Sequence, residues 1–413
     1  MSGTAFQALG LSPLYTRALQ ERGIETPTKI QEKVIPRLRE GESFLFRSAT
    51  GTGKTFAYLL PLLEKLSLLL QEDPGPLRGK PLFLIVAPTF ELCSQIKAEL
   101  DFLLKGRSQG SPESEPIPLR SILLIGSAAL GRQGDLLKKE RPEVIVGSPG
   151  RLLALARQRK LQLRELRFVV LDEGDKLVQD ELYGETQELL SLIKGPFQGT
   201  SCSATIPPRG RQRLAQLLAL SDEASSSIDD TSENVLKNQV EHWAFHSSER
   251  DKPSLLRSLI SALEGQKPRS KGRLNTPVKA LIFTRRGEDV ERICSRLLYH
   301  KVPVDGLWGG MDSQGRKQAL DNFKSGRARF LVTSDLAGRG LDVPDISHVI
   351  ALDLGDDRDI YVHRSGRTAR AGKRGIMVTI GTEGELRRLA ALEKTLGITV
   401  YPKILYGGKI LAP

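Results

Sequence analysis

Cysteine is scarce in this chain, with three in 413 residues. Cys93, Cys202 and Cys294 lie far apart in apolar or small-residue runs. That spacing fits no zinc or dithiol motif and gives no disulfide scaffold, so a reducing intracellular compartment is expected. The three thiols read as small buried hydrophobes. Aromatic residues make up only 5% of the chain, without the aromatic sheet signature of an RNA-stacking platform. Base stacking is thereby excluded as the main mode of nucleic-acid binding. Long hydrophobic runs are also missing: Leu59 to Leu70 is interrupted by Pro61, Glu64, Lys65 and Ser67 and is too short and polar to span a bilayer. No secretory leader pattern is found. The expectation is a soluble, cytoplasmic protein without a membrane partner.

Positive charge is in excess. Lys and Arg number 61 against 49 Asp and Glu, a formal charge of +12 that favours a polyanionic partner. The most informative segment is Ser48-Ala49-Thr50-Gly51-Thr52-Gly53-Lys54-Thr55, a Gly-rich turn between an apolar strand at Phe44 to Phe46 and an amphipathic helix from about Lys54 to Leu70. Backbone N–H groups in such a turn, backed by a helix N-terminus, cradle phosphates. Gly51 and Gly53 let the backbone approach the anion, and Lys54 reaches the β and γ phosphates. Some 120 residues on, Val169 to Leu171 leads into Asp172-Glu173-Gly174-Asp175. A strand-terminal Asp172 with the Thr55 hydroxyl suits Mg²⁺, leaving Glu173 to orient the attacking water. The pattern is that of a nucleoside triphosphatase using Mg²⁺.

Short apolar strands alternate with helical stretches in two series. The first runs Phe44 to Phe46, Leu82 to Val86, Ile122 to Leu124, Val144 to Val146, Phe168 to Leu171 and Ser201 to Ser203. The second runs Ala280 to Phe283, Val302 to Leu307, Phe330 to Thr333, Val349 to Leu352 and Met377 to Ile380. Strands this apolar predict α/β domains with mostly parallel sheets covered by helices on both faces. Residues 221–240, rich in Ser, Asp and Glu, read as a polar linker between a first domain at 1–220 and a second at 241–396, with a short tail at 397–413. Residues 109–118 and 264–277 read as solvated surface loops.

These motifs, in order and spacing, resemble those of DEAD-box RNA helicases over nearly the whole chain. The matching residues are Phe6, Gly23, Pro27 and Gln31, then Thr50 to Thr55, Pro88-Thr89, Ser148 to Arg151, Asp172 to Asp175 and Ser203 to Thr205. Ile282-Phe283, Ser334-Asp335, Arg339 to Asp342 and Tyr361 to Arg370 complete the series. The resemblance implies two tandem RecA-like domains. It implies that Gln31 reads adenine with both ends of its amide, that Phe6 packs behind it, and that Asp342 contacts the ribose. By the same resemblance Arg367 and Arg370 are arginine fingers for the γ phosphate. Ser203 and Thr205 join Asp175 and His363 in coupling the ATP site to the domain cleft. RNA contacts are implied at Pro88, Thr89, Gly126, Pro149, Gly150 and Arg151 in the first domain and at Phe283, Arg285 and Thr333 in the second. Most would be to sugar and phosphate, hence sequence-tolerant.

Several positions depart from the family pattern. Ser48 stands at the first Gly of the strict phosphate-loop pattern, and Gly174 replaces Ala, an exchange expected to loosen the turn slightly. Phe90, Ser127, Ser313 and Gly355 replace the usual Arg, Gly, Gln and Pro along the RNA edge. Two readings follow: an ATP-dependent RNA helicase that separates strands locally or remodels ribonucleoproteins, and an ATP-gated RNA clamp with little unwinding. A DNA translocase fits the motifs less well. A monomer suffices, because one chain carries both halves of the site, and a protein or ribonucleoprotein partner is left to supply targeting.

Overall fold

The computed structural model describes residues 5–48, 52–106, 118–126, 129–221, 228–230, 239–265, 278–335, 343, 345–355, 358–369 and 373–413. Thr50, Gly51, Ser127, Asp342 and Arg370 lie outside these residues, as do Arg339 to Leu341 and most of the two expected surface loops. The chain divides into two compact units, Met1–Asp230 and Thr231–Pro413. Among the described residues no helix is long and apolar enough to cross a membrane.

In the first unit the strands are β1 (Phe44–Ser48), β2 (Phe83–Val86), β3 (Ser121–Leu124), β4 (Val144–Gly147), β5 (Phe168–Asp172), β6 (Gln198–Ser203) and β7 (Ile228–Asp230). They form one sheet in the order β3-β4-β2-β5-β6-β1-β7, parallel throughout. In the second unit, β8 (Val240–His246), β9 (Ala280–Thr284), β10 (Val304–Leu307), β11 (Phe330–Ser334), β12 (His348–Ala351), β13 (Gly375–Gly381) and β14 (Val400–Pro402) form a second parallel sheet. Its order is β10-β11-β9-β12-β13-β8-β14. Counted from the first strand of each unit, both orders are 3-4-2-5-6-1-7, so one topology is used twice.

Each sheet is buried on both faces, which is why its central strands are apolar at every position. In β5, Phe168 and Val170 enter one core while Val169 and Leu171 enter the other. In β9, Leu281 and Phe283 face one core, Ala280 and Ile282 its opposite. The apolar signal fails at the edges. Ile228–Asp230 pairs with β1 inside the stretch read as a polar linker. Val400–Pro402, in the stretch read as a tail, adds to the second sheet, and Ile404–Tyr406 pairs with Lys409–Leu411 as a hairpin through Gly407 and Gly408, both at positive φ. Edge strands bury little and tolerate Pro and charge, so they leave no hydrophobic run to read.

Candidate nucleotide and RNA site

The helix Lys54–Glu72 follows β1 directly, placing Lys54 at the carboxyl edge where open parallel sheets bind ligands. Gly53 has φ +89, and a Cβ there would sit 2.4 Å from Gln31 Nε2. Conformation and space therefore both require glycine. Gln31 Nε2 donates to Gly53 O at 3.1 Å, while Gln31 Oε1 accepts from Thr28 N at 2.9 Å, capping the helix Lys29–Arg39. Both ends of this buried amide thus tie the start of that helix to the phosphate loop. Lys54 Nζ donates to Ser48 O at 2.8 Å, and the Ser48 and Thr52 hydroxyls lie 2.6 Å apart. Ser48 keeps a negative φ and bridges the loop through its side chain. Phe6 is fully buried in the core, its ring among apolar neighbours.

Asp172 ends β5 with both carboxylate oxygens engaged. Oδ1 accepts from Glu173 N at 2.8 Å and Cys202 Sγ at 3.0 Å; Oδ2 accepts from Tyr58 OH at 2.9 Å. Tyr58 lies three residues after Thr55 on the helix Lys54–Glu72, so the first turn of that helix is tied to Asp172. Burial and then the Asp172 charge hold the Tyr58 phenol and the Cys202 thiol protonated, well above their ordinary pKa values. Sequence reading missed both. Tyr58 could have been found one turn after Lys54 on the same helix face, and Cys202 from its pairing with Asp172 in adjacent strands. Cys93 and Cys294 are buried, each pushed up to about 12 chiefly by burial, as expected of thiols acting as hydrophobes. Among the described residues no three His, Cys, Asp or Glu side chains cluster as a metal cage. Hard oxygen donors from Thr55 and Asp172 still fit Mg²⁺, which in phosphate-binding sites takes one or two carboxylates and completes its shell with phosphate and water.

Glu173 has φ +49, a left-handed conformation uncommon for a side-chain-bearing residue. Gly174 does not loosen the turn as expected. A Cβ there would meet Ser201 Oγ at 2.0 Å, so the Ser201 hydroxyl, bonded to Leu171 O at 2.9 Å, fills the space an alanine methyl would need. Asp175 accepts from both Ser203 Oγ and Thr205 Oγ1, the latter at 3.1 Å. These two hydroxyls converge on one carboxylate.

Along the same edge, Pro88-Thr89 follows β2, and Thr89 Oγ1 accepts from Leu92 N at 3.3 Å to start the helix Phe90–Gly106. Phe90 is 45% exposed. Pro149 opens the helix Pro149–Arg157, where Arg151 Nη2 donates to Gly126 O at 2.6 Å. Gly150 leaves room for Glu185, whose Oε2 would be 2.8 Å from a Cβ. Gly126, Pro149, Gly150 and Arg151 are brought together at the ends of β3 and β4.

In the second unit the expected RNA residues separate. Arg285 is exposed just past β9. Phe283 is only 2% exposed: its strand is covered on both faces, and the ring lies in the core with the Arg364 guanidinium over it at 5.2 Å. Thr333 is also buried, its hydroxyl donating to Ser334 O at 3.1 Å. Ser313 opens the helix Ser313–Ser325, and Gly355 has φ +79, a conformation proline cannot adopt. His363 lies on the helix Arg358–Ser365, and Arg367 just beyond it is 4% exposed. Arg364, unassigned from sequence, is the buried anchor of this segment. It donates to Asp335 at 2.7 and 2.6 Å and to Asp353 O and Oδ1 at 2.6 and 3.0 Å. Burial opposes its charge, but the two carboxylates outweigh that cost.

Comparison with known proteins agrees along the chain. Residues 28–214 match the DEAD/DEAH box helicase family and residues 252–372 the helicase conserved C-terminal domain. The chain is 32% identical over 401 residues to the DEAD-box ATP-dependent RNA helicase CshC of Bacillus cereus, covering 97% of this chain and 94% of that protein. It is 32% identical over 394 residues to CshB of Bacillus subtilis, covering 95% and 83%. The fold is shared with S. cerevisiae Dbp5 bound to RNA and ADP BeF3, at TM-score 0.79 and 24% identity over 97% of this chain and 96% of that one. It is also shared with Mss116p bound to ssRNA and AMP-PNP, at TM-score 0.78 and 22% identity over 97% and 78%.

Proposed function

Since this chain belongs to the DEAD-box family of ATP-dependent RNA helicases, we propose that it couples ATP hydrolysis to RNA binding and to local strand separation or ribonucleoprotein remodelling. The observation that carries this reading is the Tyr58–Asp172 hydrogen bond, which ties the helix that begins at Lys54 to the strand-end carboxylate that would hold Mg²⁺. Lys54 leaves Ser48 O for the β and γ phosphates, and Gln31, already bonded to the loop at Gly53, turns its amide to adenine. Mg²⁺, when bound, neutralises developing phosphate charge, and Thr55 and Asp172 hold it. Glu173 orients water at the γ phosphate. Arg367 and Arg370 supply positive charge in the transition state, and Asp342 contacts the ribose.

RNA contacts in this reading come from Pro88, Thr89, Gly126, Pro149, Gly150 and Arg151 and, in the second unit, from Arg285. They are largely to phosphate and sugar, so binding falls steeply with salt. Asp175, with Ser203 and Thr205 upon it, lies two residues after Glu173, and His363 joins it in coupling the two ligands. The chain acts as a monomer in the cytoplasm, with a protein or ribonucleoprotein partner choosing the target.

The direct test is release of a short RNA strand from a duplex by parent and Lys54→Ala. ATP-dependent release lost in the variant is the expected result. Release by the variant at the parent rate would sink the assignment of Lys54. ATP-dependent crosslinking to RNA without strand release by the parent would identify a clamp instead.

A further inference from the structure

The amino ends of the strands in the first sheet lie opposite the nucleotide and RNA edge, and a cavity of about 590 Å³ opens there. That volume is in the range of pockets that seat a ligand or an anchoring side chain. Phe168 at the start of β5 and Gln198 at the start of β6 line it, with Ser43 just ahead of β1. The C-terminal end of the helix Lys54–Glu72 forms the facing wall, from Lys65 through Leu68 to Glu72. Between Lys54 and Lys65 that helix rises about 16 Å, which separates the cavity from the phosphate loop.

The cavity joins apolar surface to uncompensated positive charge. Phe168 and Phe197 supply aromatic surface, and Leu68 stands 54% exposed beside them. Three cations, Arg39, Lys65 and Arg167, line it against one carboxylate, Glu72. Lys65 Nζ donates to Gln198 Oε1 at 2.7 Å and to Leu38 O at 3.4 Å, and lies 5.8 Å from the centre of the Phe168 ring. Gln198 is itself fixed, its Nε2 donating to Leu38 O at 2.8 Å and to Glu42 O at 2.7 Å. The ammonium is thus held by neutral oxygens, and among the described residues no carboxylate pairs with it. Burial lowers its pKa from the ordinary lysine value, with no neighbouring charge opposing the shift. Arg39 and Arg167 reach carboxylates at 3.6 and 4.0 Å, long pairs that neutralise little. Partly desolvated cations beside aromatic surface favour an anion carried next to an apolar group.

We propose that this cavity docks a protein partner through a segment that carries an aromatic side chain next to Asp or Glu. The ring fills the space between Phe168, Phe197 and Leu68, and the flanking carboxylates meet Lys65, Arg39 and Arg167. Charge alone would also suit RNA, but these cations surround one concave pocket, whereas a nucleic-acid strand is held by a groove that tracks its phosphates. An aromatic anchor in a pocket with charges at its rim is the usual centre of a protein interface. The inference rests on the reading that a protein partner chooses the target, and not on strand release. Because the cavity lies at the amino edge of the sheet, partner, ATP and RNA are held at the same time.

The test is selection from a random dodecapeptide library on the full-length parent with excess Leu68→Asp protein as competitor. The enriched peptides are then labelled, and their binding to parent, Leu68→Asp and Lys65→Met is followed by fluorescence anisotropy. Both variants lie outside the nucleotide and RNA sites, so they are expected to melt near the parent and to keep its ATP hydrolysis. Enriched peptides are expected to carry an aromatic residue close to Asp or Glu and to bind either variant about tenfold more weakly than the parent. Exchange of their Asp and Glu for Asn and Gln is expected to weaken them as much, and saturating single-stranded RNA or ATP to leave them bound. No enrichment, peptides without acid, equal binding by parent and variants, or displacement by RNA would overturn the proposal. Weaker RNA binding by Leu68→Asp would make RNA the occupant, and a parent dimer lost in Leu68→Asp would make it a second copy; either overturns the proposal. Should Lys65→Met fail to fold, Leu68→Asp is read by the same criteria. A parent that binds such peptides yet hydrolyses ATP indifferently to RNA would refute the helicase reading and leave the docking site standing.

Discussion

Gly174→Ala probes the packing beneath Asp172 and Glu173. The new methyl would lie 2.0 Å from Ser201 Oγ and 3.1 Å from Leu214 Cδ2, in a region closed to solvent. Overpacking of this kind costs roughly 1–3 kcal/mol. If Ser201 turns aside, its bond to Leu171 O is lost, for about 1 kcal/mol more. Exchange of glycine for alanine at a helical position returns up to about 1 kcal/mol, and no positive φ stands in the way because Gly174 has none. The net expectation is destabilisation by about 1–3 kcal/mol, with lowered kcat from displacement of Glu173. In a Ser201→Ala background the obstructing oxygen is gone, so Gly174→Ala becomes neutral or slightly favourable. Urea unfolding of the four proteins of this cycle measures the coupling, expected at roughly 1–3 kcal/mol. A Gly174→Ala protein as stable as the parent, or effects additive to within about 0.5 kcal/mol, would refute the reasoning.

Tyr58→Phe removes the hydroxyl that holds Asp172 from the helix bearing Lys54 and Thr55. Loss of about 1 kcal/mol of orientation should raise the Mg²⁺ concentration for half-maximal binding of a fluorescent ATP analogue roughly fivefold, whereas a purely structural role would leave that Mg²⁺ dependence unmoved. His348, pushed down to about 4 by burial, stays neutral in the folded protein, while its unfolded form takes a proton near 6.5. The folded pKa is the lower one, so this contribution is complete above about pH 6.5 and is lost as pH falls toward 4, about 3 kcal/mol in all. His348→Gln should remove that part of the slope in denaturant titrations across the window, and an unchanged slope would disprove the assignment.

The central strands and the phosphate loop were legible because burial on both faces and phosphate binding each impose a local pattern. Lys54–Glu72 forms the amphipathic helix expected after the phosphate loop. What stayed hidden depends on contacts between distant segments. Tyr58 and Cys202 look like ordinary core residues until Asp172 is placed between them. Gly174 reads as a loosened turn until Ser201 is seen filling its space. Phe283 and Thr333 carry family motifs, yet a sheet covered on both faces buries their side chains. The Lys65–Gln198 bond, 133 residues apart, leaves no local mark in the sequence.

The central claim is that RNA and ATP act on one another through this chain. Its most direct test is ATP hydrolysis by parent and Glu173→Gln, with and without single-stranded RNA, at low and moderate salt. The account predicts hydrolysis that rises with RNA in the parent, less so as salt increases, and is lost in Glu173→Gln while nucleotide binding remains. Robust hydrolysis indifferent to RNA would contradict it.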